Sequence, residues 1–558
     1  MISELDAFHS SSLLSTAPPD VISIEKRLEE IRFEIQKRRH ERSSLLQEIN
    51  ETNSPGGRNL PSDILSLIFQ HACPQSDFYV RNFESQMPDG SRGIPFMGPD
   101  QDKLNPDLNG PYLPVVFGSV SSYWREVVQS TPSIWSTLVV EIRERTAKSH
   151  ASLLQLYLRR CQPLRLGIEL DFRRVGLDTE QFSKDSSNHT RLVNHIRDVL
   201  YPVADALFRA ENVGRISHLR LMAPPYEWLS LLSKAPPQVE LCLGWTPVTS
   251  LDTSPLIISP SIFPGLQTLH IVSFPQFSIP STFPSIIQLD LTRVPVGLCF
   301  DVLSSCPNLE ECRLRHLTTA AKRHIAPSFT PITLTRLRDL EWTLPMYDST
   351  TPAVPVYILT PTLRRIKWDA HNDNAEKVSE FIKFFSHAPQ SMETIHLSGD
   401  LVKTTPEEAL FDTFTSASQL RYIYLEEQRD LLKVLPFIQV LAEGFSESPS
   451  VFLPQLDTIK FIFNQGIVDG LRRPRVLGFI IELITLLVVR HEANQDAPLT
   501  LDFNVNFEWP EEGGGLKEVV EVYSTAEKGL VLDIREKGRP IPWVEFVKKK
   551  AAEHGDEC

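Results

Sequence analysis

Three histidines lying close together in the chain, His371, His387 and His396, are the first group whose side chains could hold a metal or move a proton. They lack carboxylate or cysteine partners at ligand spacing, so they read as ordinary surface histidines. Gly513, Gly514 and Gly515 stand ahead of a helical-looking run, where backbone amides could cradle an anion. Glu511 and Glu512 precede them and would repel a phosphate, which leaves a flexible loop. The string nearest to a serine nucleophile elbow, "EGFSESP" around Ser446, lacks the second glycine. The sequence contains no G-x-x-x-x-G-K-[ST] phosphate loop and no H-E-x-x-H zinc helix. These residues point away from an enzyme, with no catalytic residue, cofactor or metal expected, and toward a protein whose work is binding. A hydrolase or transferase on an α/β fold survives only because a catalytic site need not have a local signature.

Charge and cysteine usage narrow the class of partner. Across 558 residues, 56 Lys and Arg oppose 70 Asp and Glu, a formal charge of −14, so nucleic acid has no general electrostatic support. Seven cysteines (Cys73, Cys161, Cys242, Cys299, Cys306, Cys312 and Cys558) are scattered without a C-x-x-C, as reduced thiols in a cytoplasmic or nuclear protein would be. The N-terminus lacks a basic stretch followed by an apolar core, and so does not read as a secretory signal. The oiliest run, Gly478 to Val489, is shorter than a membrane span and contains Glu482, which makes it a buried helix; no membrane partner is expected. Lys548 to Lys550 reads as a solvated helix end sooner than as a nuclear signal.

Two stretches of apolar periodicity follow the N-terminal region. In "LPSDILSLIF", Leu60, Ile64, Leu65, Ile68 and Phe69 recur at helical spacing, and Pro61, Ser62 and Asp63 suit a helix start. In "VVFGSVSSYWREVVQSTPSIWSTL", Val116, Val120, Trp124, Val127 and Val128 form a second stripe that "TPSIW" stops. Together they predict two or three short amphipathic helices. Leu60, Pro61, Asp63, Ile64, Leu65, Ile68 and Phe69, followed by "GSVSSYWREV" and "TPSIWS", resemble the F-box-like domain at the front of many basidiomycete fungal proteins. Departures are Asp63 where glutamate is commoner, Ser121 where cysteine is common, and a long insert. The resemblance implies docking on the adaptor Skp1, through Leu60, Pro61, Asp63, Ile64, Leu65, Ile68, Phe69, Trp124, Pro132 and Trp135. Through Skp1 it implies a cullin–RING scaffold, and hence a substrate receptor of a ubiquitin ligase. The other reading is that the same residues only pack against the rest of the chain.

The remaining sequence divides around this region. Residues 1–20 are expected to be disordered, 21–52 to form a charged helix, 58–138 to be the F-box-like domain, and its insert 73–112 to be a loop. In the charged helix Ile24, Leu28, Ile31 and Ile35 step at coiled-coil spacing, and Leu45 and Ile49 resume the register beyond Arg38 and Arg42. Either it self-associates weakly through 21–50 or it folds back on the F-box-like domain.

From about residue 150 to 465 a motif of the form P-x-L-x-x-L-x-L returns. It ends at Leu221, Leu243, Ile271, Leu291, Leu314, Trp342, Trp368, Leu397, Leu425 and Phe461, in steps of 22, 28, 20, 23, 28, 26, 29, 28 and 36 residues. Such periods suit leucine-rich repeats, in which each strand buries alternate residues and neighbours stack into one core. The asparagine that often closes such a strand turn is mostly missing. The fold class is therefore α/β: a helical front, then an irregular leucine-rich-repeat solenoid, with 466–558 as cap and tail; a generic α/β domain is the alternative. One position per strand falls on the polar face, giving the column Arg220, His270, Asp290, Arg313, Glu341, Lys367, His396, Tyr424 and Lys460. Within it Arg313, Glu341, Lys367, His396 and Tyr424 are the candidates for holding a protein substrate, Tyr424 as anchor. A solvent-facing strand would carry such residues anyway.

Overall fold

The computed structural model describes residues 19–53, 60–73, 113–173, 175, 186–212, 214–225, 227–234, 236–244, 256–274, 277–318, 331–343, 353–370, 375–387, 389–399, 405, 407–427, 434–448, 451–463, 473–493, 499–503, 533–536 and 539–540. The expected disordered terminus up to residue 18, the insert from 74 to 112, His371, the glycine run 513–515 and the tail beyond 540 lie outside the described residues. The architecture is mixed α/β with a large parallel sheet. By internal contacts the chain forms two units, 1–140 with 149–168, and 141–148 with 169–558.

In the first unit a long helix, Pro19–Asn53, precedes three short ones at Ser62–Ala72, Leu113–Val120 and Ser122–Ser130. Pro61 sits at the N-cap of the second with φ −53°, and no side chain caps that end, so the expected capping by Ser62 or Asp63 is not what starts it. The stripe running from Val116 to Val128 breaks in two at Ser121. This residue is extended, and its hydroxyl accepts the Trp124 N–H at 3.1 Å, which closes the Leu113–Val120 helix and caps the next. Ser121→Ala should therefore cost about 1 kcal/mol, read as a shift in the unfolding midpoint, while Ser121→Asp should cost far less.

These helices share an aromatic core. Phe69 stacks on Phe117 at 4.5 Å and meets the Trp124 ring edge-on at 4.9 Å. A single 3₁₀ turn, Pro132–Trp135, then seats Trp135 against Tyr157 at 5.1 Å, and its indole N–H donates to the Val128 carbonyl at 2.8 Å. After it come β1 (Thr137–Glu141), the helix Ala147–Arg160 and β2 (Leu166–Asp171).

The second unit is built on strands that pair in chain order. They are β3 (Ile216–Met222), β4 (Glu240–Gly244), β6 (Thr268–Val272), β8 (Gln288–Thr292), β9 (Glu311–Arg315), β11 (Asp339–Thr343), β13 (Arg365–Ala370), β14 (Thr394–Gly399), β15 (Tyr422–Glu427), β16 (Thr458–Phe463), β17 (Thr500–Phe503), β18 (Asp533–Glu536) and β19 (Arg539–Pro540). All are parallel except the last pair, β18 with β19. Two small parallel pairs stand apart: β5 (Leu256–Ile257) with β7 (Phe277–Ser278), and β10 (Ile332–Thr333) with β12 (Ile358–Leu359).

The register explains why these sequences make strands. Leu219, Leu241, Leu269, Leu289, Cys312, Leu340, Ile366, Ile395, Ile423, Ile459 and Leu501 align across the sheet, and all are buried. Two residues on, Leu221, Leu243, Ile271, Leu291, Leu314, Trp342, Trp368, Leu397, Leu425 and Phe461 make a second buried column. Period-two alternation puts both columns on one face, and no strand could bury that face alone. Helices such as Val296–Ser305, Ala375–Phe385, Glu407–Ser416, Leu435–Glu447 and Arg473–Ala493 return the chain over it. The oily run at Gly478–Val489 lies in the last of these, with Phe479, Leu483, Ile484, Leu486 and Leu487 buried, as its sequence implied.

One backbone device recurs at the strand ends. The residue just after a strand is left-handed at Ala223, Ser273, Arg293 and His316, with φ of 49°, 54°, 55° and 49°. Each donates its N–H to the next strand's end, at Gly244, Thr292, Arg315 and Thr343. The ladder thus gains one more bond at the corner, for the strain of a non-glycine residue in that region. His316→Ile should destabilise by more than His316→Gly, because branching at Cβ worsens the same clash; a urea midpoint series tests the order.

Candidate functional site

Two surfaces carry residues able to recognise another molecule, one in each unit. The first begins with a helix that is apolar on more than one side. In Ser62–Ala72, Leu65 and Phe69 face inward and are each 1% exposed. Ile64, Leu67 and Ile68 form a separate stripe at 42–50% exposure, with Leu60 and Pro61 exposed at its head. Val115, Val116 and Val120 of Leu113–Val120 are exposed as well. The helix is pinned just ahead of its first turn and at its middle: the Tyr123 hydroxyl donates to the Leu60 carbonyl at 2.8 Å, and Ser66 and Thr131 share a hydroxyl hydrogen bond at 3.1 Å.

This divides the ten residues named from sequence for adaptor contact. Leu60, Pro61, Asp63, Ile64 and Ile68 are exposed. Leu65, Phe69 and Trp135 are buried in the folded unit, Phe69 against Phe117 and Trp124 and Trp135 against Tyr157. Trp124 and Pro132 are half-buried, Trp124 being the edge-on partner of Phe69. Leu67 and the three valines at 115, 116 and 120 join the exposed set. Leu67 was missed because a sequence list of apolar positions every three or four residues does not say which of two stripes is outside.

The second surface is the polar face of the parallel sheet. The column foreseen from sequence, Arg220, His270, Asp290, Arg313, Glu341, Lys367, His396, Tyr424 and Lys460, is in register across the sheet, and Cys242 and Asp502 join it. Cys242 was missed because a small apolar side chain gives no polar signal.

Burial splits this face. Arg220 and Glu240, whose side chains are 3% and 2% exposed, form an ion pair at 3.0 Å. By contrast Arg313 and Lys367 are 34% exposed and Lys460 38%, so the accessible part runs from β9 to β17. There, opposite charges meet across neighbouring strands. Arg315 holds Glu341 with two hydrogen bonds of 3.1 and 3.2 Å, and Arg313 approaches the same carboxylate at 3.6 Å. Lys460 pairs with Asp502 at 3.3 Å. His396 contacts Glu426 at 3.0 Å, with Lys367 at 3.8 Å from that carboxylate. His396 and Tyr424 lie with ring centroids 5.7 Å apart, an aromatic break in a ladder of charges. Glu341 and His396 are thus both committed to internal pairs, and Tyr424 is the column's large uncharged ring.

Glu426 titrates below the usual carboxylate range, first because of its hydrogen bond to His396 and then because of Lys367. A depressed folded pKa contributes stability that is present above the ordinary value of 4.5 and is lost as pH falls through the lowered one. His396→Ala should therefore lower stability near neutrality and flatten the acid side of the profile, the variant and the intact chain converging as pH falls; thermal midpoints from about pH 6 to about pH 3 test it.

Thiol chemistry is disfavoured where it can be read. Burial pushes Cys73 up to about 11 and Cys306 up to about 12, and raises Cys242, Cys299 and Cys312 as well. The buried thiols should label with a maleimide only after unfolding. Among the described residues no group of three or more His, Cys, Asp or Glu side chains is placed to hold a metal, and no helix is long and apolar enough to cross a membrane. No protein-family model matches the chain, and no curated protein matches it.

Proposed function

We propose that the chain is the substrate-recognition subunit of an SCF-type ubiquitin ligase, binding Skp1, and through it a cullin–RING scaffold, by its helical front. The observation that carries this reading is the exposed apolar stripe Leu60, Ile64, Leu67 and Ile68 on a helix whose opposite side is fixed by Phe69 in an aromatic core. A contiguous apolar face held rigidly from behind suits a groove between partner helices. Its backing by Phe117 and Trp124 means that docking needs no refolding of the helices, so little ordering entropy opposes it.

The second unit is, in this proposal, a leucine-rich-repeat-type solenoid. Parallel strands in chain order, two continuous buried columns and the recurring left-handed corner are what support that description. Its open polar face between β9 and β17 would hold a protein substrate, with Tyr424 and His396 at the centre. The chain's own contribution to catalysis is then proximity, since the transfer chemistry belongs to other subunits. Reduced cysteines and an acidic composition fit a cytoplasmic or nuclear protein.

Co-purification with Skp1 tests the proposal. The intact chain should form a stoichiometric complex, and a variant carrying Leu60→Ala, Pro61→Ala and Ile64→Ala should lose it while keeping its circular dichroism. A folded intact chain that shows no binding would instead make it a protein-binding scaffold without a ligase role.

A further inference from the structure

Among the described residues nothing covers a long, largely apolar seam of the helix Pro19–Asn53. Ile24, Leu28, Ile31, Ile35, Arg38, Arg42 and Leu45 follow one another in steps of 4, 3, 4, 3, 4 and 3, the spacing of positions a and d in a coiled coil. Every one of these side chains is exposed, Ile24 and Leu45 at 59%. Length decides what can cover them. At about 1.5 Å per residue the seam runs about 32 Å, whereas the described helices of the same unit with exposed apolar faces, Ser62–Ala72 and Leu113–Val120, are only about 16 and 12 Å long. Folding back on either would leave most of the seam in water. A second copy of the same helix covers all of it.

We propose that two chains pair through this helix in parallel and in register. The two arginines choose the orientation. In register, Arg38 and Arg42 meet their own counterparts, and every other layer of the seam is apolar against apolar. Arg38 enters that layer already compensated, because it contacts Glu34 at 3.3 Å and Glu41 at 3.5 Å on its own helix. The flanks are mixed: Glu34 of one helix lies beside Arg39 of the other, five residues on, and Glu41 lies beside the neighbouring Arg42, while Arg27 lies beside Arg32. Antiparallel pairing would set Leu28 against Leu45 but place Arg42 against Ile31 and Arg38 against Ile35. It would also bring Arg32 beside Arg39 and Glu34 beside Glu41, two like-charged contacts against the one attractive contact of Arg27 with Glu48, whereas the parallel register sets one like-charged contact against one attractive. Two charged layers weaken the dimer and fix its register, the known effect of polar residues in such a seam.

Sedimentation velocity of the full chain between about 1 and about 100 µM is the test. The weight-average mass should rise from 63.3 kDa toward twice that value. Ile31→Glu with Ile35→Glu should hold the chain monomeric with unchanged circular dichroism. Arg38→Leu with Arg42→Leu should tighten the dimer at least tenfold, which a merely unfolded or aggregating chain would not do. Under mild oxidation Ile24→Cys should give a covalent dimer. Monomeric behaviour in all of these variants would overturn self-pairing. A dimer that fails to cross-link at position 24, while a mixture of Leu28→Cys and Leu45→Cys chains does cross-link, would overturn the parallel arrangement.

Discussion

Phe69→Ala is expected to remove about 3–5 kcal/mol from the helical front and to leave the parallel sheet folded. The ring is 1% exposed, lies 4.5 Å from Phe117 and 4.9 Å from Trp124, and has no neighbour able to move into its place without giving up one of those contacts. Hydrogen exchange should show the loss as faster exchange in Ser62–Ala72 and Ser122–Ser130, with strands β8 to β16 unchanged. The contrast lies on the other side of the same helix. Ile64→Glu with Leu67→Glu should change stability by less than about 1 kcal/mol, since both side chains already face water. The same pair should weaken Skp1 binding at least about a hundredfold, because two carboxylates would have to be desolvated in an apolar groove. One helix thus separates the residues that hold the fold from those that face water.

The second large effect is Trp368→Ala, expected to cost about 3–5 kcal/mol and to lower the urea midpoint of the sheet unit. Trp368 is fully buried in the inward column, with the rings of Phe381, Phe384 and Phe385 at 5.5, 5.5 and 6.3 Å. Its indole N–H has no hydrogen-bond partner among the described residues, and neither has that of Trp342 in the adjacent strand. Trp368→Phe should therefore cost much less than the alanine change. It removes an unsatisfied buried donor, worth about 1–3 kcal/mol, while leaving a smaller void. If phenylalanine proved as damaging as alanine, the cluster would depend on the shape of the indole and not on its volume.

The sheet was far more legible in sequence than the helical surface. Alternation of period two forces a residue either inward or outward, so the anchors from Leu221 to Phe461 and the polar column beside them could both be placed before any coordinates. The corners could not. Arg293 and His316 are left-handed because the ladder needs their N–H there, and neither residue type announces that conformation.

For the helix Ser62–Ala72 the difficulty is different in kind. Five apolar residues in eleven give two stripes, and only packing against Phe117 and Trp124 settles that Leu65 and Phe69 are inside while Leu67 and Ile68 are out. Ser121 was noted as a departure from a family pattern, and its work as a helix cap depends on an extended backbone that its neighbours impose. The paired charges of the polar face, Arg315 with Glu341 and Lys460 with Asp502, join residues 26 and 42 positions apart, beyond the reach of any local reading.

Hydrogen–deuterium exchange of the full chain, with and without saturating Skp1, tests the central claim most directly. Protection should appear at residues 60–72 and 113–120, where the apolar stripe would be covered, and the strands from β9 to β17 should exchange as before. Unchanged exchange throughout, or protection confined to the sheet face, would contradict the proposal that the helical front is the docking surface.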